Sequence, residues 1–420
     1  MLVIGLEVHG ENWPQWRGPR LNGISNETGI PTEWSDTKNV AWKVELPGKA
    51  GATPVVWDDR IYLTTANGND LELWCLSTDG KKIWQQTLDS GDKPVRADEG
   101  NMASPSPSTD GKHVWALVGT GALACYDSDG NKVWGFRLED RYGELKISFG
   151  MASTPILDNG RLYLQIIHGD RDPVTREAMV VCLDAATGKE IWKQARPSDA
   201  YEECEHSYAS PTLYRDDNYA CFISHGADYV VGHALDDGRE LWRSGGINPP
   251  GNYNETLRLV SSPSFGPNLI VVPSAKGGPV LGLKPGGQGD ITESTESVAW
   301  RYPDKTPDVP SPLIHEGIVY LCRENGNLLC LEADTGEEIY HERTVRDRHR
   351  GSPVYADGKV YLTGRSGTVT VVRAGREFEI LAQNELGEDI SASPVIANGT
   401  LYLRTFSSLV AIRDGAAKSE

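Results

Sequence analysis

A proline followed eight residues later by a large apolar residue recurs eight times along this 420-residue chain. The later residue is aromatic in every copy except one, and the prolines follow Ser or Thr at intervals of 41 to 56 residues. The pairs are Pro54 and Tyr62, Pro107 and Trp115, Pro155 and Tyr163, Pro211 and Tyr219, Pro263 and Val271, Pro312 and Tyr320, Pro353 and Tyr361, and Pro394 and Tyr402. Self-similarity at a fixed internal spacing indicates a repeat protein.

The copy at Ser311–Tyr340 shows what each unit contains. It has four short apolar runs, separated by turns such as Glu324-Asn325-Gly326 and Asp334-Thr335-Gly336. Runs of this length bounded by Gly, Asn and Asp predict an antiparallel meander of four strands. One meander cannot bury its own faces, and a four-stranded repeat of about 40 to 50 residues is typical of a propeller blade.

The two ends of the repeat region predict how the ring closes. The last copy ends at Leu409–Ile412 without a fourth strand, whereas Val40–Val44 is a strand without a blade. Trp42 precedes Pro54 by 12 residues, the interval found between the tryptophan of the fifth copy and the proline of the sixth. We therefore predict an all-β fold, an eight-bladed β-propeller in which the N-terminal strand completes the C-terminal blade and removes the exposed edges.

Three segments follow from this prediction. Residues 40–412 form a single propeller, residues 1–39 form an extension, and residues 413–420 form a C-terminal tail. The extension contains Trp13, Trp16 and Trp34, so we expect it to pack on the propeller.

Tryptophans mark the fourth strand of most copies, usually four residues after the glycine of an Asp-Gly or Thr-Gly turn. They are Trp42, Trp84, Trp134, Trp192, Trp242 and Trp300. A large ring at one repeat position buries about 150–250 Å², so we interpret these residues as structural docking between blades rather than as cofactor-stacking groups.

The repeat resembles the tryptophan-docking motif of the quinoprotein-like (PQQ-like) β-propellers. The shared pattern is Pro-x-[Val/Ile/Leu], then Gly-x-[Val/Leu]-Tyr, then Leu-x-Cys-Leu-[Asp/Glu]-x-x-Thr-Gly-[Lys/Glu]-x-Ile-Trp, and it covers nearly all of residues 40–412. The lead-in 12–19, NWPQWRGP, is similar to the opening of secreted bacterial members. The resemblance implies the propeller fold and a periplasmic or otherwise exported protein.

Charge and hydropathy exclude some functions. The 41 basic and 59 acidic residues give a net charge of −18, which disfavours long-range attraction to nucleic acid or an anionic membrane. No apolar run approaches the about 18 residues of a membrane span, and Leu2–Leu6 is too short for a secretory leader as written. We expect no nucleic-acid partner, no membrane span and a monomer.

Variation is concentrated on one face of the predicted ring, which carries the loops between second and third strands and the segments between blades. Binding residues commonly lie on such loops. Equivalent loops carry His168-Gly169-Asp170-Arg171 and His225-Gly226-Ala227-Asp228, and Lys276 fills the same place in the fifth copy. We expect ligand-binding residues among His168, Arg171, His225, Asp228 and Lys276, with hairpin-stabilising polar turns as the alternative.

The sharpest basic run in this acidic chain is 343–350, RTVRDRHR. It leads into the first strand of the seventh copy, so Arg348 and Arg350 should point at the central channel. With Lys276, Arg323, Arg365 and Arg404 they could form an anion-binding funnel for carboxylate or phosphate groups. Pairing of the run with neighbouring acidic residues is the alternative.

Glu202-Glu203-Cys204-Glu205-His206 combines ligand types that zinc prefers. Consecutive residues of one loop rarely converge on a metal without partners from elsewhere, so no metal site is predicted. His206 is retained as a ligand-binding candidate.

Two functions remain open. The first is an exported, non-catalytic binding scaffold that presents its loop face to a protein partner or to a small anionic or carbohydrate ligand. The second, implied by the resemblance, is a PQQ-dependent oxidoreductase with PQQ and Ca²⁺ in the central funnel. The adjacent cysteine pair and the haem-attachment CxxCH of family dehydrogenases are absent from the sequence, which favours the first. If the protein is an enzyme, Asp228 and His206 are the candidates for the catalytic base.

Overall fold

Eight β-sheets surround a central channel in a computed structural model of the chain, which describes residues 10–35, 37–96, 99–170 and 177–416. The strands of the N-terminal half are β1 (Val40–Glu45), β2 (Val55–Trp57), β3 (Arg60–Asn67), β4 (Asp70–Ser77), β5 (Lys82–Ser90), β6 (Ser108–Thr109), β7 (His113–Leu117), β8 (Ala122–Asp127), β9 (Lys132–Arg137), β10 (Ile156–Asp158), β11 (Arg161–Ile166), β12 (Met179–Asp184), β13 (Glu190–Ala195), β14 (Thr212–Arg215), β15 (Ala220–Gly226), β16 (Tyr229–His233) and β17 (Glu240–Ser244). Those of the C-terminal half are β18 (Ser264–Gly266), β19 (Leu269–Pro273), β20 (Val280–Leu283), β21 (Gly289–Asp290), β22 (Val298–Tyr302), β23 (Leu313–His315), β24 (Ile318–Cys322), β25 (Asn327–Glu332), β26 (Glu338–Arg343), β27 (Val354–Ala356), β28 (Lys359–Thr363), β29 (Thr368–Arg373), β30 (Ile380–Glu385), β31 (Val395–Ala397), β32 (Thr400–Arg404) and β33 (Ser408–Ile412).

The predicted eight-bladed propeller and its closure are confirmed. Each blade contains a four-stranded antiparallel meander, to which one sheet adds β21 as a fifth strand, and the last sheet has the order β1-β33-β32-β31. Trp42 of β1 lies opposite Ala411 of β33, and Val44 lies opposite Leu409. The first strand of the ring is therefore hydrogen-bonded to the last one, as the orphan strand at Val40–Val44 indicates.

Helix is scarce in the described residues. It consists of α1 (Glu139–Tyr142) and two 3₁₀ turns at Glu202–Glu205 and Pro250–Asn252, all in segments between blades. None of the helices in these residues is both long enough and apolar enough to cross a membrane.

The middle strands are buried on both faces because each blade is sandwiched between two others. In the sixth blade, Leu329 belongs to the same core cluster as Val271 of the fifth blade. The adjacent Leu328 belongs to a cluster with Leu362 of the seventh blade. Successive side chains of a strand point to opposite faces, so a continuous apolar run serves both neighbours at once. All seven cysteines are buried free thiols.

Indole rings join the outer parts of neighbouring blades. Trp84 Nε1 donates to Ser128 O at 2.9 Å, and a Cβ added to Gly130 would lie 2.9 Å from the Trp84 ring. The ring thus lies on the glycine of the next blade's third-to-fourth-strand turn, where a side chain would collide with it. The same indole-to-carbonyl bond links Trp42 to Thr78, Trp134 to Ala185, Trp192 to Leu235 and Trp300 to Ala333.

Trp242 is the exception among the six tryptophans at this position. Its Nε1 donates to Tyr219 Oη of its own blade at 2.8 Å, and the side chain is 1% exposed. The long Gly-rich link of the fifth blade supplies β21, which pairs in parallel with β17 and places Gly289 opposite Trp242. In the fourth blade, β21 therefore covers the outer strand at the place where other blades pack an indole ring on a glycine of the next blade.

A closed circle of hydrogen bonds joins the inner parts of the blades. In every blade, the amide N–H of the Ser or Thr that precedes the repeat proline donates to the hydroxyl oxygen of its counterpart in the next blade. The donor–acceptor pairs are Thr53 to Ser106 (2.9 Å), Ser106 to Thr154 (3.1 Å), Thr154 to Ser210 (2.9 Å), Ser210 to Ser262 (2.8 Å), Ser262 to Ser311 (3.0 Å), Ser311 to Ser352 (2.9 Å), Ser352 to Ser393 (2.9 Å) and Ser393 to Thr53 (3.2 Å). We call this circle the hydroxyl ring.

The N-terminal extension lies across the end of the channel on the face that carries the short turns. We call this the turn face, and the face with the longer loops the loop face. Trp13 pairs with Val56 of the first blade in both directions at 2.8 Å, and Ser25 N donates to Tyr355 O of the seventh at 2.9 Å. Between them, the Arg17 guanidinium donates to Pro353 O at 3.0 Å and to Pro312 O at 2.8 Å. Burial without a carboxylate partner lowers the pKa of Arg17 to about 9.

Removal of residues 1–46 should destabilise the ring, because it takes away β1 and leaves β33 with an unpaired edge. A truncation that removes only residues 1–38 keeps β1 and is the matched control. We expect the longer deletion to melt at least about 5 °C below the shorter one in a thermal unfolding scan. Equal melting temperatures would contradict the closure.

The hydroxyl ring can be tested at one position. Ser352→Ala leaves the buried amide of Ser311 without its acceptor, which should cost about 1–3 kcal/mol in urea unfolding. Ser352→Thr restores a hydroxyl, as Thr53 and Thr154 already provide elsewhere in the ring, and should recover most of the loss. An alanine variant as stable as the threonine variant would show that the ring contributes little.

Candidate functional site: a charged funnel on the loop face

A funnel of about 550 Å³ opens on the loop face, at the channel axis. Each blade contributes the residue three positions before its repeat proline. These residues are Gly51, Ser104, Ala152, Tyr208, Val260, Val309, Arg350 and Ser391. The hydroxyl ring fixes the Ser or Thr that comes two positions later in each copy. Each blade therefore places one side chain at the same point of the funnel wall.

Arg350 and Arg348 form the charged centre of the funnel with two carboxylates. Arg350 Nη2 lies 2.8 Å from Glu99 Oε1 and 3.1 Å from Glu324 Oε1, and the arginine side chain is only 8% exposed. Arg348 Nη1 lies 3.4 Å from the same Glu99 oxygen, and its side chain is 50% exposed. Arg350 is thus a buried, paired cation, whereas Arg348 faces the open space with a loose partner.

Glu324 carries an unusual proton affinity. Burial raises its pKa to about 7, a hydrogen bond with the Asp308 carboxyl adds to the shift, and the Arg350 charge opposes it. Two carboxyl groups that share a site favour retention of one proton, so Glu324 titrates close to neutral pH.

Lys276 lies on the other side of the funnel in the left-handed backbone region, with φ of 52°. Its amide donates to Asp308 Oδ1 at 2.8 Å, and its Nζ donates to Thr256 Oγ1. The side chain is exposed and makes no ion pair with the described residues. It is therefore a cation available to a ligand.

The third part of the wall is aromatic. The Phe149 and Tyr208 rings lie 5.7 Å apart, and the Arg258 guanidinium lies 5.5 Å from the Phe149 ring. Arg258 Nη1 also lies 3.0 Å from Glu203 Oε2, which fixes the guanidinium. A planar anion could stack here while a guanidinium binds its charged edge.

Three of the predicted binding residues, Lys276, Arg348 and Arg350, line this funnel, and three other predicted arginines do not. Arg323 Nη1 contacts His341 Nε2 at 3.2 Å, beside the fourth strand of the sixth blade. Arg365 pairs with Asp389 at 2.8 Å and lies 4.3 Å from the Phe406 ring.

Arg404 is buried between the last blade and the first. Its Nη1 donates to Ala52 O at 3.2 Å and to Thr64 O at 2.5 Å. Burial lowers the pKa of Arg404 to about 9. Arg404 therefore lies in the core, where it connects two blades, and not at the wall of the funnel.

The predicted histidines are buried outside the funnel. His168 Nδ1 accepts from Lys146 N at 3.1 Å, and burial lowers the pKa of His168. His206 Nε2 lies 3.0 Å from Gly169 O. His225 Nε2 lies 2.9 Å from Pro273 O, and burial, followed by the Arg196 charge, lowers the pKa of His225 to about 3. The fourth candidate of these loops, Arg171, lies outside the described residues.

Asp228 belongs to a buried hydrogen-bond network and is 7% exposed. Its carboxylate accepts from Tyr253 Oη at 2.5 Å and from Asn248 Nδ2 at 3.1 Å. Burial raises the pKa of Asp228 to about 6, against the effect of these two donors. Both oxygens are engaged in holding the 247–256 loop, so the side chain is not aimed at a cavity where a substrate could sit.

Several funnel residues were missed from the sequence: the acidic Glu99, Asp308 and Glu324 and the aromatic Phe149 and Tyr208. Comparison of the position three residues before each proline would have found Tyr208, as it does Arg350. Glu99 and Glu324 carry no sequence signal because only ring closure brings them to the same arginine.

The funnel fits the carboxylates of an organic anion better than it fits calcium. Arg258, Lys276 and Arg348 could bind the carboxylates of PQQ, and Phe149 and Tyr208 could lie against its rings. The acids are already used, because Glu99 and Glu324 bind Arg350 and Asp308 binds Lys276 N. In the part of the chain that the structure describes, no group of three or more His, Cys, Asp or Glu side chains could hold a metal ion.

Solved structures with the same fold include BamB and two dehydrogenases. BamB from Moraxella catarrhalis aligns with a TM-score of 0.63 and 13% identity, over 89% of this chain and 99% of that one. A europium-containing methanol dehydrogenase gives 0.70 and 12%, over 97% and 90%. The quinohemoprotein alcohol dehydrogenase from Comamonas testosteroni gives 0.67 and 12%, over 97% and 82%. At these identities the likeness shows the fold alone.

Comparison with curated protein sequences finds no match. A family model described as outer membrane protein assembly factor BamB matches residues 29–163, 119–293 and 289–420, so successive matches cover almost the whole ring. The repeated prolines, the indole rings on turn glycines and this coverage lead to one conclusion: the chain belongs to the PQQ-like β-propeller family described by that model.

Proposed function

We propose that this propeller is an exported, monomeric, non-catalytic binding protein that takes carboxylate groups of its ligand into the loop-face funnel. The charge of the funnel is the observation that supports this proposal most. Five cations, Arg96, Arg258, Lys276, Arg348 and Arg350, line it against three described acids, Glu99, Asp308 and Glu324. The excess of cations is local, because the chain as a whole carries a net charge of −18.

Glu99 acts in this proposal as an internal substitute for the ligand. It follows the first blade, yet it binds Arg348 and Arg350, which lie 249 and 251 residues further along the chain. A carboxylate is thus already bound in the geometry that an incoming carboxylate would use. The ligand replaces Glu99 on the exposed Arg348 and adds the ion pair that Lys276 lacks.

Acidic side chains of a partner protein and small polycarboxylates share this chemistry. The description of the family as an assembly factor supports a protein partner, whereas the size of the funnel suits a small molecule. A peptide of six glutamates and benzene-1,3,5-tricarboxylate represent the two sources.

Lys276→Ala should weaken the binding of both probes, measured by isothermal titration at low ionic strength and pH 7. The loss of one charge-assisted hydrogen bond predicts an affinity reduction of about 10-fold or more. Glu99→Gln should strengthen binding, because it removes the internal competitor for Arg348 and Arg350.

The matched control is Arg323→Ala, which removes a cation outside the funnel wall and should leave both affinities unchanged. Two results would overturn the proposal: no binding of either probe to the unmodified protein, or equal losses for Arg323→Ala and Lys276→Ala. Stabilisation by PQQ with Ca²⁺ but not by the tricarboxylate would favour the oxidoreductase alternative instead.

Affinity for the tricarboxylate should increase as the pH falls from 8 to 6. Its carboxyl groups titrate near pH 4 and stay ionised in this range, whereas Glu324 gains a proton near pH 7. Asp308, Glu99, Arg348 and Arg350 are the charged groups around Glu324, and its protonation leaves the arginines less neutralised.

Glu324→Gln tests this pH dependence. The variant should bind at pH 8 as tightly as the unmodified protein does at pH 6, with a flatter profile between them. An unmodified protein whose affinity did not change across this range would contradict the role of Glu324.

A further inference from the structure

A second and larger cavity, of about 850 Å³, opens on the opposite face of the ring. It lies at the turn-face end of the channel, between the extension and the blades two to five. Its inner wall is made by the residues two positions after the repeat prolines, Thr109, Leu157, Leu213 and Phe265. The extension forms the other side with Pro14, Gln15, Pro19, Arg20, Leu21 and Asn22.

The extension creates this cavity by covering only part of the channel end. Trp13 pairs with Val56, and Ile24 with Tyr355, so the first and seventh blades are occupied at this position. The corresponding residues of blades two to five line the cavity, and the extension bonds to two of them: Thr109 N donates to Pro14 O and Leu157 N donates to Gln15 Oε1, each at 3.0 Å. Arg17, buried on the strand-start carbonyls of the sixth and seventh blades, lies on the covered side and is not part of the lining.

Aromatic side chains form one wall. Trp57, Trp115 and Phe265 line the cavity, together with the imidazole of His113, whose ring centroid lies 5.7 Å from that of Trp115. Trp57 and Phe265 are only half-buried. The Trp115 indole N–H is used on Ala185 O at 2.8 Å, whereas the Trp57 indole N–H has no hydrogen-bond acceptor among the described residues. Trp57 therefore offers a partly exposed ring and an indole N–H donor.

The rim combines donors and acceptors of both charges. Asp110, Asp158 and Asp184 supply three carboxylates, and Arg20 and Arg215 supply two guanidinium groups. Asp158 and Arg215 hold each other at 2.7 Å. The negative and positive charges at the rim are therefore close to balance, and the ion pair fixes the Asp158 carboxylate and the Arg215 guanidinium.

This combination selects a class of ligand. A polyanion would meet three carboxylates at the rim, in contrast to the cation-rich funnel on the other face. A neutral hydroxyl-rich molecule suits it better, because each hydroxyl both donates and accepts and can bind carboxylate, amide and guanidinium groups in turn. The C–H faces of a sugar ring provide the apolar surface that a half-buried indole needs to cover.

We propose that the turn-face cavity is a binding site for a neutral saccharide, with Trp57 as its aromatic platform. The volume is within the about 300–1,000 Å³ of small-ligand sites. The site is formed jointly by the extension and the ring, so it exists only when the extension is docked. It does not depend on the carboxylate funnel, from which it is separated by the length of the channel.

Titration of the full chain with four neutral disaccharides, cellobiose, maltose, lactose and N,N′-diacetylchitobiose, tests the proposal by calorimetry. We expect at least one to bind, and Trp57→Ala to weaken that binding at least 10-fold. Trp16→Ala is the matched control, since Trp16 is also a half-buried indole but does not line the cavity. It should leave saccharide affinity unchanged.

A melting curve of each variant excludes unfolding as the cause. Lys276→Ala should keep saccharide binding, and Trp57→Ala should keep binding of the tricarboxylate in the funnel, which separates the two sites. The proposal is overturned if none of the four sugars binds, or if Trp57→Ala and Trp16→Ala bind equally well.

Discussion

The hydroxyl ring is the constraint on which the rest of this propeller depends. A proline has no N–H, so the last backbone donor before each inner strand belongs to the preceding Ser or Thr. That donor is buried and would be costly to leave unpaired, and it finds its acceptor only in the next blade. The eighth bond, from Ser393 N, returns to Thr53, so every blade both donates and accepts one such bond and the circle is closed.

The indole contacts that join the outer parts of neighbouring blades work differently, and not every blade has such a contact. Each docked indole needs a glycine under its ring and a carbonyl for its N–H, and both come from one turn of the next blade. The fifth blade has no such short turn, so Trp242 turns into its own blade and β21 closes the gap. A local substitute suffices on the rim because the hydroxyl ring already fixes the position of each blade near the axis.

The sequence predicted the fold well because its signals are local. Proline spacing, turn glycines and the orphan strand at Val40–Val44 each depend on residues near one another in the chain, and all agree with the sheet order. The prediction of most cationic and histidine binding residues depended instead on which way a single side chain points, and local sequence signals do not determine that direction. Arg404 and His225 occupy strand ends that could face the channel, yet both are buried between blades and bind backbone carbonyls.

The funnel acids show the other limit of a single sequence. Nothing near Glu99 identifies Arg348 or Arg350 as its partner, since the pairing follows from the way loops of different blades converge at the axis. The position three residues before each proline is the part of the site that could be predicted, because the hydroxyl ring fixes it in every copy. Arg350 was found from its basic run, whereas Tyr208 needed a comparison across copies.

The extension gives the two ends of the channel different chemistry. Its Arg17 is a buried cation held by carbonyl oxygens alone, an arrangement that is stable only where those carbonyls converge and lack other donors. By satisfying them, the extension closes part of the turn-face end and lines the remainder with its own residues. A ligand that enters the cation-rich funnel therefore meets a channel that is partly closed at its far end. This geometry suits two separate binding sites better than a passage through the ring.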